Sequence, residues 1–364
     1  MSPAPLAVFV LTIAALPIAA DPPKEKVGEV GRLTPEQTNR DLPVAASADG
    51  KTAITGNSLG DLAVWSVSKQ TVLWEAEGWG LSTQLSLIAV GSILADLRAV
   101  RGFTHGGAVT AVVALPAQRF ATAGTDGVVR VWKVGEPATE VAGPFRVELG
   151  PDRRQSVRLL ARSDDGSKLA AATSGRRVIV WDLGTGTAVA NHGLDSTDGT
   201  LPPELVYLAF APDGKLLVGT RQRAQVFVLA DGQLKARPVS LVPPKATTGR
   251  PVAAFAADGR SLVVGNGNGL LRWDAVTGQR DEFADAASAP VIGLAAAGKK
   301  RFLSAHADGV VRVWDFADDT RPLRHRVRPA AAVAIDRAAF SADGRVGLLV
   351  DSKGTVRVYD LPTE

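Results

Sequence analysis

The strongest constraint on the fold is a stretch of thirteen residues that occurs twice in near copy. FATAGTDGVVRVW spans residues 120–132, and FLSAHADGVVRVW spans residues 302–314. In each copy, alternating apolar and β-branched residues predict two short strands, and the Asp-Gly pair predicts a tight turn between them. A single hairpin of this kind is at best marginally stable in water. The unit must therefore recur, so that neighbouring copies bury one another's apolar faces.

The unit does recur at a regular spacing. We mark each copy by the large residue that ends its second strand, here called the anchor residue. Successive anchors are separated by 67, 49, 48, 44, 41 and 45 residues. All but the first gap lie within the roughly 40–50 residues typical of a four-stranded propeller blade. The anchors are Trp65, Trp132, Trp181, Leu229, Trp273, Trp314 and Tyr359.

A second, independent marker has the same period. Asp-Gly pairs lie at 49–50, 165–166, 213–214, 258–259 and 343–344. Each Asp precedes its anchor by 16 residues, or by 15 in the case of Asp258. The two remaining units have Ala117-Gln118 and Gly298-Lys299 in this place, which also predict turns. The two markers together predict an all-β chain of seven blades.

The strands that carry the anchors resemble those of the WD-repeat (WD40) β-propellers. The resemblance rests on VRVW at 129–132, VIVWD at 178–182, VRVWD at 311–315 and VRVYD at 356–360, and it covers roughly residues 41–364. It implies a seven-bladed β-propeller of four-stranded antiparallel blades. The hydrogen-bonded His–Ser/Thr–Asp–Trp set of that family is complete in one blade, as His105, Thr122, Asp126 and Trp132. Blade six has Ser304, Asp308 and Trp314 but lacks the histidine.

The N-terminal 40 residues differ from the repeats. Residues 1–20 contain the apolar run LAVFVLTIAALPIAA, which is too short for a membrane span and predicts a cleaved secretory signal peptide. The alternatives are an uncleaved membrane anchor and a disordered tail. Cleavage would give an exported protein, periplasmic or extracellular, without a transmembrane span in the mature chain.

Two further segments depart from the repeat. The last blade has only three readable strands, so we expect residues 21–40 to supply the fourth through KVGEVGRL at 26–33. The alternative is a loose linker. The long first gap predicts an insertion near 79–104, packed on the rim, and a degenerate eighth blade is the competing interpretation.

Composition excludes several kinds of chemistry. The chain has no cysteine, which excludes disulfides and thiolate metal sites. The net charge of +4 is small for this length, so we expect no nucleic-acid partner. The four histidines do not cluster in sequence, and His192 is predicted to lie in a loop before blade four. We therefore predict no catalytic residues, no metal site and no cofactor.

One group of charges stands out. Blade three has Gly175-Arg176-Arg177 where blade two has Asp126-Gly127, and the matching turn of blade four is Arg221-Gln222-Arg223. The resemblance places both turns on the same face, so Arg176, Arg177, Arg221 and Arg223 would lie side by side. Guanidinium groups suit carboxylates and phosphates. The hypothesis is a site for an acidic partner or an anionic envelope polymer, and the alternative is a pair of solvated turns.

The resemblance favours a non-catalytic scaffold that binds protein partners in the bacterial envelope or outside the cell, and we expect it to be a monomer. One alternative is a sensor or anionic-polymer-binding module that uses the arginine turns of blades three and four. Another is a propeller enzyme, which would need histidines and carboxylates converging at the central channel.

Overall fold

The protein is a ring of seven antiparallel sheets. The computed structural model describes residues 28–33, 43–76, 105–134, 139–147, 155–194, 205–220, 224–230, 233–241, 252–284, 289–297, 300–317, 323–329 and 333–362. Within these ranges the chain forms 28 strands and no helix. The strands pair into seven four-stranded sheets, so the predicted seven-bladed all-β propeller is confirmed.

Six blades are consecutive meanders, and the seventh contains strands from both ends of the chain. Blade one holds β2 (Val44–Ala46), β3 (Thr52–Gly56), β4 (Leu62–Ser66) and β5 (Thr71–Ala76). Blade two holds β6 (Val109–Leu115), β7 (Arg119–Gly124), β8 (Val128–Lys133) and β9 (Thr139–Arg146). Blade three holds β10 (Val157–Arg162), β11 (Lys168–Thr173), β12 (Arg177–Asp182) and β13 (Ala188–Gly193). Blade four holds β14 (Tyr207–Phe210), β15 (Leu216–Gly219), β16 (Ala224–Ala230) and β17 (Gln233–Leu241).

The remaining blades follow the same order. Blade five holds β18 (Ala253–Phe255), β19 (Ser261–Asn266), β20 (Gly269–Asp274) and β21 (Arg280–Ala284). Blade six holds β22 (Val291–Ala296), β23 (Arg301–His306), β24 (Val311–Asp315) and β25 (Leu323–Val327). Blade seven holds β26 (Ile335–Phe340), β27 (Val346–Asp351) and β28 (Val356–Asp360), with β1 (Gly28–Leu33) hydrogen-bonded to β28.

Strand β1 occupies the outer position of blade seven. It runs antiparallel to β28, with Gly28 opposite Asp360 and Leu33 opposite Val356. The strand lies inside the segment that was expected to supply the missing fourth strand. The predicted signal peptide at 1–20 and the whole of the predicted insertion at 79–104 lie outside the described residues. Among the described segments, none is a helix long and apolar enough to cross a membrane.

The core consists of the interfaces between neighbouring blades. Apolar clusters of buried side chains join each blade to the next, from blades one and two around to blades six and seven. A further cluster joins blade seven to blade one, where Leu348 and Val350 pack with Val44 and Trp65. Because both faces of every sheet are covered, most inner strands are apolar along their whole length rather than alternating.

Six anchor residues are buried as expected, from Tyr359 with no exposed surface to Trp132 at 4%. Blade four differs. Leu229 is only partly buried, whereas Phe227, two residues earlier on the same strand, is 2% exposed and pairs opposite Leu216. The predicted anchor of blade four is therefore two residues too late. Its Asp-Gly spacing misleads because the exposed turn does not fix which apolar residue of the third strand faces the neighbouring blade.

The Asp-Gly turns between first and second strands are held by side chains. Ser163 Oγ donates to Asp165 Oδ1 (2.6 Å), Ser167 N donates to the same oxygen (3.0 Å), and Lys168 N donates to Ser163 Oγ (2.9 Å). The hydrogen bond from Ser163 is the main cause that lowers the pKa of Asp165 to about 2. The same Ser-to-Asp bond occurs at Ser47–Asp49 and Ser341–Asp343. These aspartates therefore cap turns, as expected from their position.

The turn between β6 and β7 offers a route to higher stability. Ala117 and Gln118 both have positive φ, 58° and 54°, which is the backbone of a type I′ turn. Asn-Gly is the preferred pair for this turn, because residues with a Cβ are strained there. We expect A117N/Q118G to raise the free energy of unfolding by about 1 kcal/mol. Denaturant unfolding measures this change, and an unaltered midpoint would contradict it.

Candidate functional site

Four side chains of blade two form one hydrogen-bonded chain. The Trp132 indole donates to Thr122 Oγ1 (2.9 Å), the Thr122 hydroxyl lies 2.8 Å from His105 Nε2, and His105 Nδ1 lies 3.2 Å from both carboxylate oxygens of Asp126. The ionised Asp126 carboxylate can only accept, so Nδ1 donates to it, and Nε2 of the neutral ring accepts from the Thr122 hydroxyl. The proton of His105 is therefore on Nδ1 and faces Asp126.

Asp126 connects this chain to the backbone. Its oxygens accept hydrogen bonds from Gly106 N (2.9 Å) and Val128 N (3.1 Å), so the carboxylate joins the segment before β6 to the turn before β8. Burial acts to raise the pKa of Asp126, but the hydrogen bonds from His105 and the two amides outweigh it and lower the pKa. The arrangement fixes two loops relative to each other at one end of the blade.

Comparison with known proteins agrees with this geometry. Residues 98–133, which end within the third strand of blade two, match the family profile described as WD domain, G-beta repeat. The match includes all four members of the hydrogen-bonded chain. Together with the seven-bladed ring, the match fits the WD40-repeat family. A search of curated proteins gives no significant match.

In a WD40-type ring, the turns between second and third strands share one face, here called the upper face and represented by residues 124–127. The turns between first and second strands lie on the opposite, lower face, represented by residues 163–166.

The Trp–hydroxyl bond of blade two recurs in blade one, where the Trp65 indole donates to Thr55 Oγ1 (2.9 Å).

Blade six has its own histidine, which sequence comparison with blade two does not reveal. The Trp314 indole donates to Ser304 Oγ (2.7 Å), Ser304 Oγ lies 2.9 Å from His306 Nε2, and His306 Nδ1 lies 2.7 Å from the carbonyl oxygen of Ala289. The carbonyl can only accept, so Nδ1 carries the proton. Asp308, the other predicted member, accepts a hydrogen bond from Val310 N and caps its turn.

The strand register explains how His306 replaces the missing histidine. His306 pairs opposite Val291, and the equivalent pair in blade two is Gly124 opposite Val109. A Cβ on Gly124 would lie 2.9 Å from His105 Nδ1. The imidazole therefore enters from the loop before the first strand in blade two and from the second strand in blade six. The signal in the sequence is a histidine two residues after the Ser or Thr that binds the anchor Trp.

We expect His306→Ala to lower the free energy of unfolding by about 2 kcal/mol, because it leaves the partly buried Ala289 carbonyl and the buried Ser304 hydroxyl without this partner. His325 lies exposed on the outer strand β25, so His325→Ala is a matched control with an expected change below about 0.5 kcal/mol. Urea unfolding of both variants checks the difference. A change in His306→Ala as small as the change expected for the control would contradict a structural role for His306.

The lowered pKa of Asp126 makes its contribution depend on pH. Because the pKa is lower in the folded state than in the unfolded chain, the stabilisation is complete above the unfolded pKa of about 3.8. It is lost as the pH falls through the folded pKa. We expect wild type to exceed Asp126→Asn in unfolding free energy at pH 7, and the difference to shrink below pH 4. Parallel unfolding curves at several pH values measure this, and a pH-independent difference would contradict it.

Two of the four arginines that were predicted to lie side by side, Arg176 and Arg177, are within the described residues. Arg221 and Arg223 lie outside the described residues. Arg177 is directed along its own blade, where Nε donates to Asn191 Oδ1 on the outer strand (2.9 Å). Arg176 has a positive φ of 61°, at the turn position that is Gly127 in blade two, and its buried Nη1 has no hydrogen-bond partner in the described part of the chain.

The histidines lie in three different blades. His105 and His306 are buried in the networks above. His192 lies on the outer strand β13 opposite Val178 and contacts the Phe227 ring edge-on, so its predicted loop position is wrong. Strand β13 extends to Gly193. Its mixture of polar and apolar residues is compatible with an exposed outer strand as well as with a loop, so the sequence did not distinguish the two. Within the described ranges, no three His, Asp or Glu side chains are grouped as metal ligands.

Proposed function

We propose that this protein is a non-catalytic scaffold that binds protein partners through the two faces of its propeller. The observation that carries the proposal is the WD40-type ring itself, which displays turns on a rigid support. Fold alone does not determine function, so the exposed turn residues matter. Leu59 on the upper face is 37% exposed, and Val276 on the lower face is 49% exposed. Both residues lie in turns that are fixed by hydrogen bonds from their backbone amides to a side chain. Exposed apolar side chains on ordered turns suit partner recognition.

The buried histidines also favour a structural role. Every ring nitrogen of His105 and His306 is within hydrogen-bonding distance of a Thr, Ser, Asp or backbone oxygen. These two imidazoles stabilise the blades in this proposal. His192 and His325 lie on outer strands of different blades, at the periphery of the ring.

Affinity capture tests the scaffold function. The chain from residue 21 onward is immobilised and incubated with an extract of the source organism, and retained proteins are identified and purified. We expect at least one partner that rebinds the purified chain with defined stoichiometry in calorimetry. Sedimentation equilibrium of the free chain is expected to give a monomer. Turnover of a substrate without any stoichiometric partner would instead favour an enzyme.

We also propose that the protein acts outside the cytoplasm, in the bacterial envelope or beyond it. The support is the apolar run at 6–20 followed by a polar segment. Expression of the full chain in a bacterial host, followed by fractionation and intact mass, tests this. We expect the exported protein to lack residues 1–20, and a cytoplasmic protein of full mass would overturn the proposal.

A second candidate function is an anion-binding module centred on the arginine turn of blade three. The observation that favours it is Arg176, whose strained backbone is unusual for a surface arginine and whose buried Nη1 has no hydrogen-bond partner among the described residues. Arg176→Gly relieves the strain and removes the guanidinium group. We expect this variant to be as stable as wild type but to bind heparin-type polyanions less tightly, whereas unchanged retention on such a column would remove this candidate.

A further inference from the structure

A cleft on the lower face opens between blades five and six. It has a volume of about 290 Å³ and is lined by Ser261, Arg272, Trp273, Asp274, Gln279, Asp281, Lys300, Phe302 and Phe316. This size is at the lower limit of ligand pockets and is sufficient for one or two amino-acid side chains. Buried aromatic rings form its floor, and polar side chains form its walls.

The floor of the cleft is rigid. Phe316 packs on Phe302 and Phe283, with ring centroids 5.5 and 4.7 Å apart. The guanidinium of Arg272 lies 5.3 Å from the centroids of both Phe283 and Phe316, and its Nη2 is 2.7 Å from Asp281 Oδ2. Stacking on two rings and one ion pair hold Arg272 in a single orientation. A guest would thus meet a preformed surface.

The two carboxylates of the cleft already have cationic partners. Asp281 pairs with Arg272, and Asp274 pairs with Arg260 at 2.5 Å. Asp274 also accepts hydrogen bonds from Val276 N and Thr277 N. Burial acts to raise the pKa of Asp274, but these amides and Arg260 outweigh it and lower the pKa, which keeps the carboxylate ionised.

Lys300 provides the remaining charge. Its side chain is exposed, and its ammonium group forms no ion pair within the described ranges. Its backbone is fixed, because Phe316 N donates to Lys300 O (2.9 Å). Gln279 is also exposed and adds an amide that can donate or accept. Among the described lining residues, with both carboxylates paired, the charge left without an ionic partner is the positive charge of Lys300.

We propose that this cleft binds an acidic side chain, aspartate or glutamate, of an extended peptide segment in a protein partner. Lys300 pairs with the carboxylate, Gln279 donates a hydrogen bond, and the aromatic floor contacts the methylene groups. Val276, in the loop that also carries Gln279, provides apolar contact for the adjoining peptide residue. The inference rests on the proposed scaffold function and specifies the chemistry of one partner site.

Selection from a display library of random twelve-residue peptides tests the proposal on the intact chain. We expect wild type to enrich peptides that contain Asp or Glu, with dissociation constants that rise with salt. Lys300→Glu is expected to weaken their binding at least tenfold. Lys51→Glu makes the same charge reversal on the lower face of blade one, and it is expected to change peptide binding less than twofold. Both lysines are exposed, so thermal unfolding of both variants is expected to match wild type.

A double-mutant cycle identifies the contact. Replacing the acidic residue of a selected peptide with its amide and replacing Lys300 with Met should each weaken binding, and together cause little more loss than either alone. Absence of acidic peptides, or peptides insensitive to Lys300→Glu, would overturn the cleft proposal. Such a result leaves the scaffold function to be judged separately by the affinity capture, which does not depend on this cleft.

Discussion

Replacing Trp314 with alanine is expected to lower the free energy of unfolding by about 3–5 kcal/mol, the range for truncation of a large buried aromatic residue. Trp314 is 1% exposed and fills the interface between blades five and six. Its indole is also the donor that begins the Ser304–His306 network. The loss therefore combines a large cavity with the loss of the hydrogen bond that Ser304 Oγ accepts from the indole. Equilibrium unfolding in guanidinium chloride measures it.

Trp314→Phe separates the two contributions. Phenylalanine retains an aromatic ring beside Phe316, whose centroid lies 6.5 Å from that of Trp314, but it cannot donate to Ser304. We expect this variant to lose less than half as much unfolding free energy as the alanine variant. If Trp314→Ala changes the unfolding free energy by less than about 1 kcal/mol, the residue does not have the packing role assigned to anchor residues.

Removal of strand β1 is the second large effect. A chain that begins at residue 34 leaves β28 as an open edge, although Val356, Val358 and Tyr359 of that strand are fully or almost fully buried in the complete ring. These side chains pack against blades one and six and stay covered, so the cost comes from backbone groups of β28 that lose their partners in β1. At roughly 1 kcal/mol for each of a few hydrogen bonds, we expect a loss of about 3 kcal/mol, and the free edge favours association between copies. Unfolding and sedimentation of chains 21–364 and 34–364 measure both consequences.

A peptide added in trans provides the control. The sequence of residues 26–33 is expected to restore the stability of chain 34–364 by strand addition, whereas a scrambled peptide of the same composition should not. Equal stability of the two chains would show that β1 adds nothing to the ring.

The fold could be predicted because its signals are local and repeated. Each blade contains its own turn residues and its own large apolar strand residue, so a spacing such as Asp165 to Trp181 indicates the blade without knowledge of its neighbours. Repetition makes up for blades in which one signal is weak, such as the turn at Ala117-Gln118. Blade four shows the limit, because the residue buried against the next sheet, Phe227, depends on packing between blades.

The sites were less predictable, because they depend on contacts between residues far apart in sequence. His306 performs the function of an absent histidine from a different strand, so a motif search finds only the gap. The cleft near Lys300 combines side chains of two blades, and its net charge depends on which carboxylates already have an arginine partner. The sequence identified the arginine turn of blade three, but the different directions of the Arg176 and Arg177 side chains depend on local backbone geometry.

A single engineered disulfide tests the ring most directly. The chain has no cysteine, so Gly28→Cys with Asp360→Cys introduces one defined pair at positions that lie opposite each other in β1 and β28. Opposed residues of an antiparallel pair have Cα atoms about 4.5–5.5 Å apart, within the range of a disulfide. Gly28→Cys with Lys353→Cys, in the turn between β27 and β28, is the control. We predict rapid oxidation of the 28–360 pair within one chain and a higher thermal midpoint, whereas oxidation no faster than in the control would contradict a ring in which β1 completes blade seven.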